Sequence, residues 1–121
     1  MIDTNRYIGM KFDHPKFNCW TLCAMILKDY FDIDTGIKAY VGELKKADSK
    51  FLLELDQWDQ IHSPDVGVLV VFNLGGKPLH CGICIDNNRF IHAVSGGTVC
   101  IERLSKPLWN KRIKGFYQWA R

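Results

Sequence analysis

Residues 18–30, NCWTLCAMILKDY, are the stretch from which the fold of this chain can be worked out. Apolar side chains recur there at spacings of three and four residues, the period of an amphipathic helix. Asn18 suits the N-cap because its side chain can accept hydrogen bonds from backbone N–H groups of the first turn. Asp32 and the Asp-Thr-Gly turn at residues 34–36 are expected to end the helix. The apolar stripe consists of Cys19, Leu22, Cys23, Ile26 and Tyr30.

The pattern changes from helix to strand further along the chain. Residues 38–58 favour more helix, whereas after Pro64 short apolar runs rich in β-branched residues alternate with turn residues. The Asn87-Asn88 pair predicts a two-residue hairpin turn. Helices followed by an antiparallel meander indicate an α+β domain, with N-terminal helices packed on a sheet of about five strands. The predicted strands are residues 66–74, 80–86, 89–95, 98–104 and 115–119.

Length and composition limit the class of protein. The chain has 121 residues, 47% hydrophobic and 24% charged, so we expect one globular domain over residues 1–121. A net charge of +3 is too small to indicate a nucleic-acid partner, although residues 103–121 hold six basic side chains and no acid. No apolar run reaches the roughly 18 residues of a membrane span, and residues 1–10 show no secretion signal. We therefore expect synthesis in the cytoplasm and no membrane span.

The chain has five cysteines, Cys19, Cys23, Cys81, Cys84 and Cys100, most of them in apolar stretches. An odd number, with no secretion signal, favours buried thiols in a reducing compartment over a disulfide framework. The question is then whether one of these thiols is a nucleophile.

Cys19 is the candidate nucleophile. In the first turn of a helix, free backbone N–H groups and the positive end of the helix dipole stabilise a thiolate and lower the thiol pKa. The same N–H groups can bind the oxyanion of a tetrahedral intermediate. His80, at the start of a predicted strand, is the candidate base, and His92 on the following strand could orient its imidazole. A cysteine at a helix start facing a histidine on a packed sheet is the papain-like geometry.

Each of these residues also has a purely structural interpretation. Cys19 can be a core thiol, His80 a histidine at a loop end, and His92 a core histidine bonded to backbone. A metal site is a further alternative, but strand alternation sends Cys81 to the face opposite His80 and Cys84. The potential ligands of such a site are Cys19, Cys23, His80, Cys81 and Cys84.

The predicted hairpin raises a geometric difficulty for the histidine pair. A two-residue turn at Asn87-Asn88 sets His80 opposite Ser95 and His92 opposite Ile83. At about 3.3 Å per residue, the two histidines would lie roughly 10 Å apart along the strands. Side-chain reach, twist or a bulge must close this gap; otherwise another polar group orients His80.

Several segments resemble those of the NlpC family of papain-like cell-wall peptidases. Residues 17–22, FNCWTL, are similar to the family's Asp-Cys-aromatic/Ser-Gly-Leu segment, and residues 80–85, HCGICI, to its His-Val-Gly-Ile-Tyr strand. Residues 89–93, RFIHA, resemble its Phe-Ile-His-Ala segment, and residues 64–72 its Pro-Gly-Asp-hydrophobic strand. The resemblance runs from about residue 7 to residue 93 in the family's order.

This resemblance implies a papain-like α+β fold and a Cys–His–His triad at Cys19, His80 and His92. It implies hydrolysis of a peptide bond in peptidoglycan stems, between D-glutamate and diaminopimelate, with no metal or organic cofactor. The candidate substrate-binding residues are Trp20, Phe12 and Tyr7, where Phe12 lacks the hydroxyl of the tyrosine often found in the family.

The chain resembles most the peptidase-like domains of bacteriophage tail-tip proteins, because a bulky residue follows the cysteine. That branch implies peptidoglycan and phage tail-tip proteins as partners and the virion as location. Asn18 and Thr21 depart from the family's Asp and Gly, and aromatic residues at the basic C-terminus suggest an exposed surface. Two alternatives therefore stay open: a structural module of a phage tail with little activity, and a papain-like amidase, transglutaminase or acyltransferase with another substrate.

Overall fold

In a computed structural model, residues 2–11, 18–35, 57–73, 80–94 and 96–120 are described. They form a short 3₁₀ helix, Thr4–Arg6, two α-helices and six β-strands. None of the helices in these ranges is long and apolar enough to cross a membrane. The α-helices are α1, Cys19–Phe31, and α2, Pro107–Asn110. The strands are β1, Trp58–Ile61; β2, Leu69–Phe72; β3, His80–Cys84; β4, Arg89–Ala93; β5, Val99–Arg103; and β6, Ile113–Trp119.

Helix α1 begins and ends as its sequence predicts. The Asn18 Oδ1 atom accepts hydrogen bonds from the N–H groups of Trp20, at 3.1 Å, and Thr21, at 3.0 Å. Thr21 completes a capping box, since its Oγ1 atom accepts from the Asn18 N–H at 2.7 Å. At the other end, Asp32 adopts the left-handed conformation, with φ of 52°, and stops the helix. The local chemistry of residues 18–32 therefore sets the position of Cys19 as the first helical residue.

The six strands form one antiparallel sheet in the order β1-β6-β2-β3-β4-β5. Strand β6, the last in sequence order, lies between β1 and β2 and is therefore second from one edge of the sheet. Strands β2, β3 and β4 are almost entirely buried, as the apolar run after Pro64 predicts. Helix α1 packs against β3 and β4, the two strands that carry the candidate histidines.

The two faces of the sheet bury separate apolar clusters. On the α1 side, helix residues such as Leu22 and Ile26 pack with Cys81, Ile83 and Ile91. On the other side, Val70, Phe72, Cys84 and Phe90 pack with Trp109 of α2. Cys81 and Cys84 therefore lie on opposite faces of β3, which confirms the alternation read from the sequence.

The structure corrects the sequence prediction at two places. Trp58, predicted to end a helical stretch, instead begins β1, and its ring packs against Trp119 at 5.1 Å between centroids. The rest of that predicted helix, residues 38–56, lies outside the described residues. The sheet has six strands, one more than expected, because β1 pairs with the C-terminal strand. The aromatic residues of β6 are accordingly part of the sheet, with Tyr117 buried and Phe116 and Trp119 partly buried.

Candidate active site

Cys19 lies at the N-terminus of α1 and is partly exposed. Hydrogen bonding to the thiol of Cys81, and then the hydrogen bond and positive charge of His80, hold the pKa of Cys19 well below its usual value. These effects outweigh burial of the sulfur, which opposes ionisation. The thiolate is the nucleophilic form of cysteine, so this environment prepares Cys19 for attack on an electrophile.

Cys81 is a partner of Cys19 that the sequence analysis did not identify. It is fully buried, and burial together with its two thiol neighbours raises its pKa well above the usual value. It therefore keeps its proton and can donate the S–H to the Cys19 sulfur. Its own sulfur also lies 3.6 Å from that of Cys23, a fully buried residue of the apolar stripe of α1. The signal for this contact was the alternation of β3, which turns Cys81 towards the helix.

His80 and His92 are hydrogen-bonded, contrary to the separation expected from the hairpin. Ile83 pairs with Ile91, not with His92, because residues 86–88 form a three-residue loop closed by the Ile85 N–H and the Arg89 carbonyl at 2.9 Å. The His80 Nε2 and His92 Nδ1 atoms are 2.8 Å apart. The predicted two-residue turn was wrong, and the three-residue loop sets a register that brings the two rings together.

Gly82 makes room for this contact. The register of β3 and β4 sets Gly82 beside His92, where a Cβ atom on Gly82 would lie 3.2 Å from the His92 Cβ atom. His80 lies two residues before Gly82 and, by alternation, on the same face of β3. With no side chain between them, the His92 ring can lean diagonally across the strands to His80.

His92 is fully buried, and its second ring nitrogen contacts a carboxylate. Burial, followed by the charge of His80, lowers the pKa of His92 to about 4, so this imidazole is neutral near pH 7. Its Nε2 atom is 2.7 Å from Glu102 Oε2 on the neighbouring strand β5. The sequence analysis did not name Glu102, because nothing in the local sequence around residue 102 shows which strand it adjoins.

Aromatic rings enclose the histidine pair on the α2 side of the sheet. His80 stacks with Phe72 and with Trp109, both at 5.8 Å between ring centroids. His92 packs edge-on against Trp109 at 4.9 Å. Trp109 was read from the sequence as part of an exposed C-terminal surface, but it is partly buried and packs against both histidines. Such a low-polarity wall strengthens the hydrogen bonds of the two imidazoles.

Two of the three candidate substrate-binding residues, Tyr7 and Trp20, are buried in the described part of the chain. Tyr7 is 2% exposed, and its hydroxyl donates a hydrogen bond to Asp29. Trp20 is also 2% exposed and packs 6.4 Å from the Trp58 ring. Phe12 lies outside the described residues. The burial of Tyr7 and Trp20 favours a packing role for both.

Among the described residues, one group of potential metal ligands includes His92 of the histidine pair. Donor atoms of His92, Cys100 and Glu102 lie within 4.8 Å of one another. This group shares no residue with the cysteine-rich set considered from the sequence. The hydrogen bond between His92 and Glu102 accounts for their approach without a metal ion.

Comparison with known proteins gives the same family that the motifs suggest. The model of the NlpC/P60 family matches residues 5–118. Over 46 residues the chain is 44% identical to the murein DD-endopeptidase MepS/murein LD-carboxypeptidase of Escherichia coli strain K12, covering 38% of this chain and 24% of that protein. The same protein in two further Escherichia coli strains matches equally. The aligned segment is thus about a quarter of the curated relatives' length.

The fold has a solved counterpart. A Staphylococcus aureus crystal structure, described as similar to a lipoprotein of the NLP/P60 family, matches with a TM-score of 0.67 and 19% identity. The match covers 96% of this chain and 38% of the other, and it confirms the papain-like α+β prediction. With the family model matching nearly its full length, this chain belongs to the NlpC/P60 family.

Proposed function

We propose that this chain is a cysteine peptidase that hydrolyses peptide bonds in bacterial peptidoglycan stems, with Cys19, His80 and His92 as its catalytic triad. The observation that carries the proposal is the hydrogen-bonded series from Cys19 to His80 to His92, in which the pKa of Cys19 is lowered. Family membership and the murein-directed name of the Escherichia coli relatives support the choice of substrate.

In the proposed reaction the Cys19 thiolate attacks the carbonyl carbon of a stem peptide bond. The His80 imidazolium then gives its proton to the leaving amine as the C–N bond breaks, which leaves an acyl-enzyme. Neutral His80 next takes a proton from water as the water oxygen attacks the acyl carbon, and the C–S bond breaks, which releases the acid and restores the Cys19 thiolate beside protonated His80. His92 holds the His80 ring through the 2.8 Å hydrogen bond throughout these steps.

The helix start has fewer free donors for the oxyanion than the sequence suggested. The Asn18 side chain already accepts from the N–H groups of Trp20 and Thr21. We therefore assign the oxyanion to the backbone N–H of Cys19 itself, next to the positive end of the helix. Thr21 acts in the capping box, which gives this β-branched residue a role at a position where the family has Gly.

The candidate bonds in the substrate come from two sources. The resemblance of the motifs implies the bond between D-glutamate and diaminopimelate in the stem. The Escherichia coli relatives are named for DD-endopeptidase and LD-carboxypeptidase activity, which favours a bond of one of those two types as the second candidate. The proposal also includes a place at a phage tail tip, where local wall cleavage would aid penetration.

The test is digestion of purified peptidoglycan, with the released fragments identified by mass spectrometry. The wild-type chain should add one water for each bond cut, OH to the new acid and H to the new amine, and the fragment that carries the new amine identifies the bond. Cys19→Ala should abolish release, whereas Cys84→Ala should retain it, because burial raises the pKa of Cys84 to about 12 and keeps that thiol un-ionised. Equal release by wild type and Cys19→Ala would refute the proposal.

The same experiment distinguishes the two alternatives. Transfer of the acyl group to an added amine, in place of water, would indicate an acyltransferase. A folded wild-type chain that releases nothing but binds a phage tail protein would favour the structural module.

A further inference from the structure

We infer that Glu102 is a positioning residue for this reaction: its carboxylate fixes the tautomers of His92 and His80 in series, so that the base presents its lone pair to Cys19. The inference deepens the proposed function, since it concerns the same site. Glu102 contacts neither Cys19 nor the leaving group, and it acts only through the two imidazoles.

The hydrogen bonds form a diagonal line across three neighbouring strands. His92 pairs with Cys100 in the sheet, and Glu102 lies two residues further along β5 on the same face. The Glu102 Oε2 atom is 2.7 Å from His92 Nε2, and His92 Nδ1 is 2.8 Å from His80 Nε2. Both nitrogens of His92 are therefore engaged, one with the carboxylate and one with the candidate base.

The charge state of Glu102 determines where the protons lie. Burial opposes its ionisation, but interactions with Trp109 and His92 and the charge of Lys106 outweigh burial and hold the pKa of Glu102 below its usual value. An ionised carboxylate only accepts hydrogen bonds, so the proton between it and His92 belongs to His92 Nε2. His92 is neutral near pH 7, which leaves its Nδ1 atom without a proton.

The tautomer of His80 follows from that of His92. An unprotonated His92 Nδ1 atom can only accept, so His80 must donate through an Nε2–H group. His80 Nδ1 is then the ring nitrogen with a lone pair, and it is the one left to exchange a proton with Cys19. Without the carboxylate, either imidazole could reverse its tautomer, and a His80 with its proton on Nδ1 cannot act as a base towards the thiol.

A purely structural role for Glu102, as an ion-pair partner on the protein surface, explains less well why its carboxylate contacts His92. Its other charged partner is Lys106, whose Nζ atom lies 3.6 Å from Oε1 and whose side chain is 62% exposed. An ion pair that exposed contributes little to stability. The carboxylate side chain itself is 20% exposed, and its closest partner is the fully buried imidazole.

The test measures the tautomers directly, by imidazole ¹⁵N NMR of the full chain near pH 7. In wild type, Nε2 should be protonated in both His80 and His92 and Nδ1 of His92 should be unprotonated, while the proton at Nδ1 of His80 is the one that exchanges with Cys19. Glu102→Leu removes the acceptor and should populate the Nδ1–H tautomer in at least one of the two rings. Glu102→Gln keeps an acceptor oxygen without the charge, so it should largely restore the wild-type tautomers. Lys106→Met is the matched control, because it removes the smallest of the interactions that lower the pKa of Glu102 and should leave the spectra near pH 7 unchanged.

A second readout is alkylation of Cys19 by iodoacetamide near pH 6, followed by peptide mass spectrometry. Glu102→Gln should label about tenfold more slowly than wild type, because a charge-assisted hydrogen bond is roughly twice as strong as a neutral one. Glu102→Leu should label more slowly still. Wild-type tautomers and labelling rates in both Glu102 variants would overturn the inference. Neither readout needs peptidoglycan, so absence of wall hydrolysis would refute the proposed function and leave this test intact.

Discussion

Gly82→Ala tests whether close approach of β3 and β4 holds the two histidines together. A Cβ atom at Gly82 would lie 2.8 Å from the Ile91 carbonyl oxygen and 2.9 Å from Phe90 Cδ2. The first distance is about 0.6 Å short of the 3.4 Å at which ordinary contact begins, and a backbone atom cannot rotate away. The methyl group must therefore push β4, which carries His92, away from β3, which carries His80.

The expected loss of stability follows from this overlap. Overpacking of a well-packed site costs about 1–3 kcal/mol. Replacing glycine by alanine also stabilises a protein by about 0.4–1 kcal/mol through the unfolded chain. Gly97→Ala carries that second effect alone, since its Cβ atom would lie 3.6 Å from the nearest Val94 atoms. The difference between the two variants therefore isolates the overlap, about 1–3 kcal/mol.

Thermal unfolding and Cys19 alkylation together make the assay. At about 4 °C of Tm per kcal/mol for a chain of this size, Gly82→Ala should unfold about 4–12 °C below Gly97→Ala. Its alkylation by iodoacetamide near pH 6 should be at least about tenfold slower than wild type, because small displacements of catalytic groups have large effects on rate. A Gly82→Ala protein with the Tm and labelling rate of Gly97→Ala would show that the reasoning is wrong.

Two further predictions concern groups whose pKa the fold shifts. Cys81→Val removes the S–H group that stabilises the Cys19 thiolate, so the pKa of Cys19 should rise and alkylation near pH 6 should slow by up to about tenfold; an unchanged rate would contradict this. Burial lowers the pKa of His92 in the folded chain to about 4. As the pH falls, the unfolded chain therefore takes up a proton at residue 92 before the folded chain does. The free energy of unfolding should fall by up to about 3 kcal/mol between pH 6.5 and pH 4. Urea unfolding of wild type and His92→Gln at both pH values checks this, and an equal pH dependence in the two proteins would count against it.

Local sequence was sufficient wherever neighbouring residues determine the structure. Asn18 and Thr21 cap the helix through groups at most three residues away, and Asp32 ends it, so the place of Cys19 was predictable. Alternation in β3 separated Cys81 from Cys84 in the same way. These features depend on backbone hydrogen bonds and on the period of helix or strand.

The hairpin shows where local prediction failed although a local signal was present. Asp86 Oδ1 accepts from the N–H groups of Asn88, at 2.9 Å, and Arg89, at 2.7 Å, and this Asx-type turn lengthens the loop to three residues. The interpretation of Asn87-Asn88 as a two-residue turn neglected this side chain. A shift of one residue changed the partner of His92 from Ile83 to Gly82.

By itself, then, the sequence determined the fold class and the capped helix that carries Cys19, and it indicated His80 and His92 as candidate partners. Only the tertiary structure decided that Cys81 contacts Cys19, that Gly82 lets the imidazoles meet, and that Glu102 lies beside His92. The physical reason is range: capping and alternation act over a few residues, whereas these contacts depend on which strands are adjacent and in what register. Register in turn depends on a single loop residue and on packing of the whole sheet.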